Sequence, residues 1–466
     1  MQATTRTVWT FAITSVALFM VVLDNLVVST ALPVIRTDLG ATIEELEWTV
    51  NAYTLTFAVF LLTGAALGDR FGRRRMFVAG LSIFTLASAA AALAPSMEAL
   101  IAARAVQGIG AAIVTPLTLT ILSGAFPSER RGVALGAWSG IAGLAVAAGP
   151  LVGGAVVDGL AWQWIFWLNV PIGLAVIPLA RVLTESHGPD RALDLPGLAL
   201  ASGGLLGLVW GLVHGNGAGW ASPEIAGSLT LGALFLAAFV GWEARAKQPM
   251  LPLRFFRSRA FSAANGASLA MYFGMFGSVF LLSQFFQTAQ GYSPFEAGMR
   301  VLPWTAMPML VAPIAGALSD RVGGRPFLAG GLALQAIGLA WIAAVSTPDV
   351  SYSSLVGPFV LSGIGMGMFF APVANTVLSA VGVRDEGKAS GASNAIREVG
   401  GVLGVAVLAS IFSSAGGYES PAIFTDGLVA ATWVGAAVVG AGALVALAVP
   451  GKVRREEARE LALEAA

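Results

Sequence analysis

The chain has 466 residues, no net formal charge and no cysteine, and 56% of its residues are hydrophobic against 11% charged, with a mean hydropathy of +0.79. Soluble domains carry about 25% charged residues, so this composition belongs to a chain that lives in lipid. It excludes disulfides and thiolate metal sites, and two histidines, His187 and His214, are too few for a histidine-based metal centre. Apolar runs long enough to cross a bilayer recur fourteen times. They are predicted at 8–32, 48–68, 75–94, 98–122, 133–156, 162–182, 194–214, 224–242, 260–284, 294–318, 325–345, 353–379, 389–413 and 424–449. At about 20 residues each they use about 280 of the 466, leaving loops and tails of about 12 on average. No room is left for a receptor ectodomain, a nucleotide-binding domain or a tethered hydrolase. The first run is too long for a cleaved signal peptide and reads as a retained helix.

Charge placement tests this count, because Lys and Arg favour the cytoplasmic side of short loops. Starting inside, the inner segments hold twenty-two of the 26 Lys and Arg, and the outer segments hold only Arg36. Arg104, Arg300 and Arg397 fall inside spans. Removing any helix from the count would invert every loop after it and destroy the asymmetry. The prediction is an inner (cell) membrane protein with both termini cytoplasmic. The basic run from Arg245 to Arg259 and the tail from Lys452 to Arg459 read as contacts with anionic lipid that set topology. Trp9, Trp48, Trp162, Trp164, Trp220 and Trp242, near span ends, read as interfacial anchors.

The chain also repeats itself. Leu67-Gly68-Asp69-Arg70-Phe71-Gly72-Arg73-Arg74 matches Leu318-Ser319-Asp320-Arg321-Val322-Gly323-Gly324-Arg325 at a shift of 251, and Glu129 to Gly136 recurs more loosely as Arg384 to Gly391. Spans 1 to 6 therefore correspond to spans 9 to 14. This predicts an N-terminal six-helix bundle over 1–183, two inserted helices and a linker over 184–258, a C-terminal six-helix bundle over 259–450 and a cytoplasmic tail over 451–466. Parallel halves related by an axis along the membrane normal suit a transporter that rocks around a midplane site.

Five motifs carry a family resemblance. The loop after span 2 resembles GxLxDRxGRR, with Asp69, Arg70, Gly72, Arg73 and Arg74 in place and Ala65 at the first glycine position. Span 4 carries Arg104-Ala105-Val106-Gln107-Gly108-Ile109-Gly110, similar to RxxQGxG. Span 5 carries Gly149-Pro150-Leu151-Val152-Gly153-Gly154, similar to GPxxGG, with Ala145 at its upstream glycine position. Span 1 contains Leu23-Asp24-Asn25-Leu26-Val27-Val28-Ser29-Thr30-Ala31-Leu32-Pro33, close to LDxTVVNVALP. The stretch Trp162-Gln163-Trp164-Ile165-Phe166-Trp167-Leu168-Asn169-Val170-Pro171 has the same affinity. Together they resemble the major facilitator superfamily, in particular its fourteen-helix drug:proton antiporter branch. The resemblance implies an all-α membrane protein with two six-helix bundles plus two linker helices. It also implies proton coupling through the span 4 motif and exchange, rather than symport, through span 5.

The residues themselves suggest roles. An ionised carboxylate in hydrocarbon costs several kcal/mol, so Asp24 calls for a proton, a cation or water. Arg104 sits at a similar depth on span 4, and the two can pair if both face the central cavity. Glu398 on span 13 is a second acidic candidate, and adjacent Arg397 points about 100° away from it. Asp69 at a helix C-terminus opposes the helix dipole and needs cations, which Arg70, Arg73 and Arg74 can supply around a turn at Gly72. Asp320, Arg321, Gly323 and Arg325 repeat this latch. Gly149, Pro150, Gly153 and Gly154 predict a kinked helix packed closely between the halves. Met271, Met275, Phe276, Phe280, Trp304, Met307, Met366, Phe369 and Phe370 could line an adaptable apolar cavity, with Asn25, Gln107 and Gln284 as hydrogen-bonding groups. Packing against lipid or neighbouring helices is the alternative for these.

The reading that follows is a proton-coupled secondary antiporter that exports lipophilic compounds, cations included, by alternating access. Its partners are a small-molecule drug or metabolite, protons and the bilayer, with no nucleic acid. It acts as a monomer with no cofactor beyond the proton gradient. A dedicated exporter of one antibiotic or metabolite is an alternative the sequence does not separate. A nutrient importer fits span 5 less well. A receptor or membrane enzyme would need an outer domain or a catalytic cluster, and neither is evident.

Overall fold

The computed structural model describes residues 5–126, 128–188, 193–382 and 385–451. Fourteen helical segments among them are long and apolar enough to cross a membrane. Strands are absent among the described residues, and the helices satisfy each backbone donor in hydrocarbon within its own segment.

The helices are α1 (Thr5–Leu39), α2 (Ile43–Phe71), α3 (Arg73–Ala92), α4 (Met97–Ala125), α5 (Ser128–Gly159), α6 (Trp164–Trp167), α7 (Asn169–Leu179), α8 (Leu195–Ala218), α9 (Pro223–Glu243), α10 (Arg259–Gln284), α11 (Pro294–Thr305), α12 (Met307–Val322), α13 (Arg325–Val345), α14 (Tyr352–Ser379), α15 (Glu386–Ala415) and α16 (Pro421–Ala446). Polar caps fix several starts. Thr42 and Glu45 form a capping box on α2, Ser293 and Glu296 form another on α11, and Ser-Pro pairs open α9 and α16. The capping box also explains why α2 begins five residues before its predicted start.

Three spans depart from a simple rod. Predicted span 10 is two helices that break at Ala306, where Pro303 and Pro308 flank the joint and remove backbone donors. Predicted span 6 is α6 and α7, joined at Leu168. Span 9 runs on from α10 into a turn of π-helix, Phe285–Ala289. At 35 residues, α1 is about 52 Å long, well beyond the roughly 30 Å hydrocarbon core, and it continues past Pro33.

In the first half α4 packs on α2 and α3, and α5 on α1. In the second half α10 packs on α15 and α16, and α13 on α14 and α16. The halves meet along two seams, α2 with α15 and α5 with α11. The inserted pair α8 and α9 cross through Gly204, Gly207 and Gly232, where an added Cβ would stand 2.7–2.9 Å from the nearest backbone or side-chain atom of the partner helix. Val209 and Val213 of α8 then rest on Leu55 and Val59 of α2 and on Val402 and Ala406 of α15, so this hairpin covers a seam. Asn216 ties it down by donating to the Ser410 carbonyl.

With an even number of spans the two chain ends share one face, here the terminal face. At the opposite face a single apolar cluster runs unbroken from Leu32 and Phe166 to Phe285, Trp304 and Phe424, which joins the halves. Hydrogen bonds reinforce it: Gln287 donates to the Thr30 carbonyl at 2.9 Å, and Ser293 to Asp158 at 3.2 Å. Arg36, the lone predicted outer cation, stacks 3.7 Å over Tyr418. Burial pushes the Tyr418 hydroxyl well above its usual range, with Arg36 pulling it down and Glu47 pushing it up.

Trp162 is not an interfacial anchor. It is 2% exposed and donates to Asp38 at 2.6 Å. Trp48 is half-buried against Trp210 and His214. Trp9, Trp164, Trp220 and Trp242 are exposed, as an anchor requires. Within the basic run, Arg254 does not merely meet lipid; it makes a two-pronged pair with Asp385 at 2.7 and 2.9 Å. Arg191, Arg384 and the tail from Lys452 to Arg459 lie outside the described residues.

Candidate functional site

Asp24 lies midway along α1 with 1% of its surface exposed, and Arg104 of α4 is wholly buried beside it. Arg104 Nη1 donates to Asp24 Oδ2 at 2.6 Å. The other carboxylate oxygen accepts from Gln107 Nε2 at 2.9 Å and from Asn169 Nδ2 at 2.6 Å. Gln107 also accepts from Arg104 at 2.7 Å and donates to Ser88 at 2.8 Å. Four helices thus converge on one ion pair, which is how a charge survives inside apolar surroundings.

Arg104 has support beyond Asp24. Its Nε donates to the Thr49 carbonyl at 3.2 Å, and its guanidinium lies 4.2 Å from the centre of the Tyr53 ring and 5.7 Å from that of Phe166. The predicted Asp24–Arg104 pair is therefore formed, and Gln107 joins it rather than a cargo cavity. Asn169, Ser88, Thr49 and Tyr53 were not singled out by sequence reasoning. Asn169 stands inside the Trp162–Pro171 stretch, so that motif held the signal. Ser88 sits in a run of small residues that carries none.

Glu398 lies outside this cluster. Its Oε2 finds no hydrogen-bond donor among the described residues, and neighbouring Arg397 turns to Asn394 at 3.3 Å, as the 100° offset predicts. Glu398 is within electrostatic reach of Tyr53, whose ring carries Arg104, and of Tyr272.

A small, largely enclosed apolar pocket lies between the halves, a cleft lined by Leu26, Val146, Pro150, Met275, Phe276, Val279, Trp304, Thr305 and Met366. Of the predicted cavity residues it contains Met275, Phe276, Trp304 and Met366. Met271, Phe280 and Phe369 are instead packed in the apolar core. Phe370 faces Tyr272 at 6.3 Å, Met307 packs on Gly363, and Gln284 accepts from Tyr418 at the opposite face. Asn25 is half-buried, and its Oδ1 has no donor among the described residues. Asp24 does not line the cleft, but Leu26, two residues along the same helix, does.

The glycines of α5 make the close approaches expected of them, and the helix runs unbroken through Pro150. A Cβ at Gly149 would stand 2.6 Å from Leu26, and one at Gly153 would stand 2.2 Å from Thr30, both on α1. A Cβ at Gly154 would reach within 2.3 Å of the Pro294 carbonyl on α11, and one at Gly298 within 2.2 Å of the Pro150 carbonyl. So α5 is wedged between α1 and the other half.

At the terminal face, Gly72 takes φ +105°, as the sharp turn requires, and Asp69 pairs with Arg73 at 2.9 Å. Arg70 lies over Phe71, and Arg74 turns to a residue not foreseen, Glu185, which accepts from the Arg74 backbone at 3.0 Å. The strand-like stretch after α7 completes the latch: Ser186 accepts from the Arg73 backbone and Gly188 donates to the Asp69 carbonyl. In the second copy Gly323 repeats the positive φ at +98°, Arg325 is exposed and Arg321 is engaged. The side chain of Asp320 lies outside the described residues.

Comparison with known proteins agrees with this architecture. The multidrug resistance protein Stp of Mycobacterium tuberculosis (strain CDC 1551 / Oshkosh) is 36% identical over 408 residues, 87% of this chain and 76% of that protein. The cephamycin export protein CmcT of Amycolatopsis lactamdurans is 40% identical over 415 residues, 87% of this chain and 84% of that one. The crystal structure of a POT family transporter in complex with a thioalcohol-conjugated peptide superposes with a TM-score of 0.71 at 13% identity, covering 94% of this chain and 95% of that chain, a likeness of fold. The model of the Major Facilitator Superfamily matches residues 14–405 and 264–464. With its fourteen spans, repeated latch and close relatives among exporters, the chain is a multi-pass membrane transporter that belongs to the Major Facilitator Superfamily.

Proposed function

We propose that this transporter is a proton-coupled antiporter that exports lipophilic compounds, cations included, across the inner membrane. It acts as a monomer with both termini in the cytoplasm and needs no cofactor beyond the proton gradient. The observation that carries the reading is the Asp24–Arg104 pair, a fully buried acid two residues from an apolar cleft between the halves.

Protonation of Asp24 removes the charge that Arg104, Gln107 and Asn169 converge on. Arg104 then keeps the Thr49 carbonyl, the Gln107 oxygen and the Tyr53 ring, so the cation is not stranded. The ionised and protonated clusters differ in where they hold α1, and α1 carries Leu26 into the cleft and against Gly149. Both oxygens of Asp24 are occupied within the cluster, so a cargo in this cleft acts on the acid through α1 rather than by seizing it. Proton and cargo each favour a different arrangement of one helix, and uptake of one promotes loss of the other. Stp, by its name a multidrug resistance protein, and CmcT, by its name a cephamycin export protein, support an export role and leave breadth to experiment.

The test is reconstitution into liposomes under an imposed pH gradient. Efflux of a lipophilic cation should dissipate the gradient and fall to background in Asp24→Asn. Efflux that leaves the gradient intact, or that survives in Asp24→Asn, overturns the reading. Breadth is read from a thermal-shift panel. A ligand at 100 times its Kd adds about 2.7 kcal/mol to stability, so shifts with chemically unrelated compounds mark a multidrug exporter, and shifts with one class mark a dedicated one.

A further inference from the structure

The proton site described above uses one buried acid, yet α2 buries another. Glu47 is 1% exposed and its Oε2 finds no donor among the described residues; Asn51, one turn below it, is wholly buried with both amide atoms unmatched, and Trp48 Nε1 is unmatched as well. Buried polar atoms are nearly always satisfied, so a cluster of them marks a place that changes partner or water content.

The location gives this cluster a purpose. Glu47, Asn51, Ala58 and Leu62 fall within about 60° of one another at 100° per residue, and Leu62 closes on Gly391 of α15 so tightly that a Cβ there would stand 2.7 Å from it. This face of α2 therefore looks across the seam at the other half, near the end of α2 that lies at the opposite face. Thr49 and Tyr53, which hold Arg104, occupy a different face, so Glu47 is separate from Asp24. Charged and titratable neighbours are few. Glu44 lies on α2 itself and His214 of α8 lies against Trp48. Tyr418, just after α15, lies within electrostatic reach of Glu47 and carries Arg36 of α1 stacked on its ring. Arg397 and Glu398 of α15 sit nearer the terminal face, and Arg104 of α4 is engaged by Asp24. Among the described residues none of them makes an ion pair with Glu47, whose Oε2 has no donor.

We propose that Glu47 is a second proton-binding site: it meets external water when the outer ends of the halves part, and it must carry a proton for the α2–α15 seam to close over it. An ionised carboxylate shut into this seam without a paired cation bears the full penalty of desolvation, whereas a protonated one closes without it. The proton comes from outside and returns there, so it gates closure without being carried across. This rests on the alternating-access reading above.

The chain has no cysteine, so spin labels can be placed cleanly on Leu160→Cys and Ser351→Cys, one in each half at the outer face, and their separation followed in reconstituted full-length protein as external pH is varied. The closed population should rise as pH falls. That dependence should vanish in Glu47→Gln, which stays closed throughout, persist in Glu47→Asp, and persist in Asp24→Asn with an altered midpoint. A Glu47→Gln protein that follows pH as the unsubstituted protein does, or a Glu47→Asp protein that has lost the response, overturns the Glu47 proposal alone. A separation indifferent to pH in the unsubstituted protein overturns it together with alternating access.

Discussion

Asp24 owes its usefulness to the company it keeps. Three donors from two helices, Arg104 and Gln107 of α4 and Asn169 of α7, hold its two oxygens, and each is a separate handle on the cluster. Asn169→Ala removes one hydrogen bond to a charged oxygen, a contribution of about 1.5–3 kcal/mol. Asn169→Ala should therefore lower thermal stability and slow gradient-driven efflux while the protein still inserts, as thermal-shift and liposome efflux assays would show. Trp304→Ala acts elsewhere: it enlarges the cleft without touching the acid, so it should change which compounds compete for efflux while the pH profile stays in place. Sequence reasoning reached Asp24 and Arg104 because charges in hydrocarbon stand out against it. It passed over Ser88 and Thr49 because a serine in a small-residue helix and a backbone carbonyl look the same whether or not they hold an arginine.

The helices were legible from hydropathy, since a run of apolar residues in lipid has no other stable form. Their interruptions were not. Ala306 breaks span 10 because prolines on either side of it act together, and other spans carry internal prolines without a break: α5 passes Pro150 and α14 passes two. The latch shows the same limit. Asp69, Gly72 and Arg73 were readable as a turn, but Glu185 comes from over a hundred residues away and only the fold delivers it. Glu185→Ala should cost at most about 1 kcal/mol, because its pairs with Arg74 and Arg75 are partly exposed. It should also free the 183–188 stretch from Arg74, seen as faster hydrogen exchange there with α2 and α3 unchanged.

At the scale of the whole molecule, the two seams between the halves are built differently. The α2–α15 seam is made of side chains, includes Glu47 and Asn51, and is covered by the inserted hairpin. The α5–α11 seam is made largely of backbone, where Gly154 and Gly298 let carbonyls of the other helix approach to near contact. Gly154→Val should therefore hold the outer ends apart and reduce exchange by more than tenfold while the protein still inserts, which cross-linking between Asp158→Cys and Ser293→Cys would reveal as lost reactivity. The repeat at a shift of 251 foretold two parallel halves, but it could not foretell which helices touch across them, since both copies of a repeat present the same pattern to every neighbour.

The bare-backbone seam also bears on how such a protein would be mapped. Scanning by truncation finds residues whose side chains matter when cut away, and here there is nothing to cut. Only enlargement would expose this joint, and a single methyl group is enough.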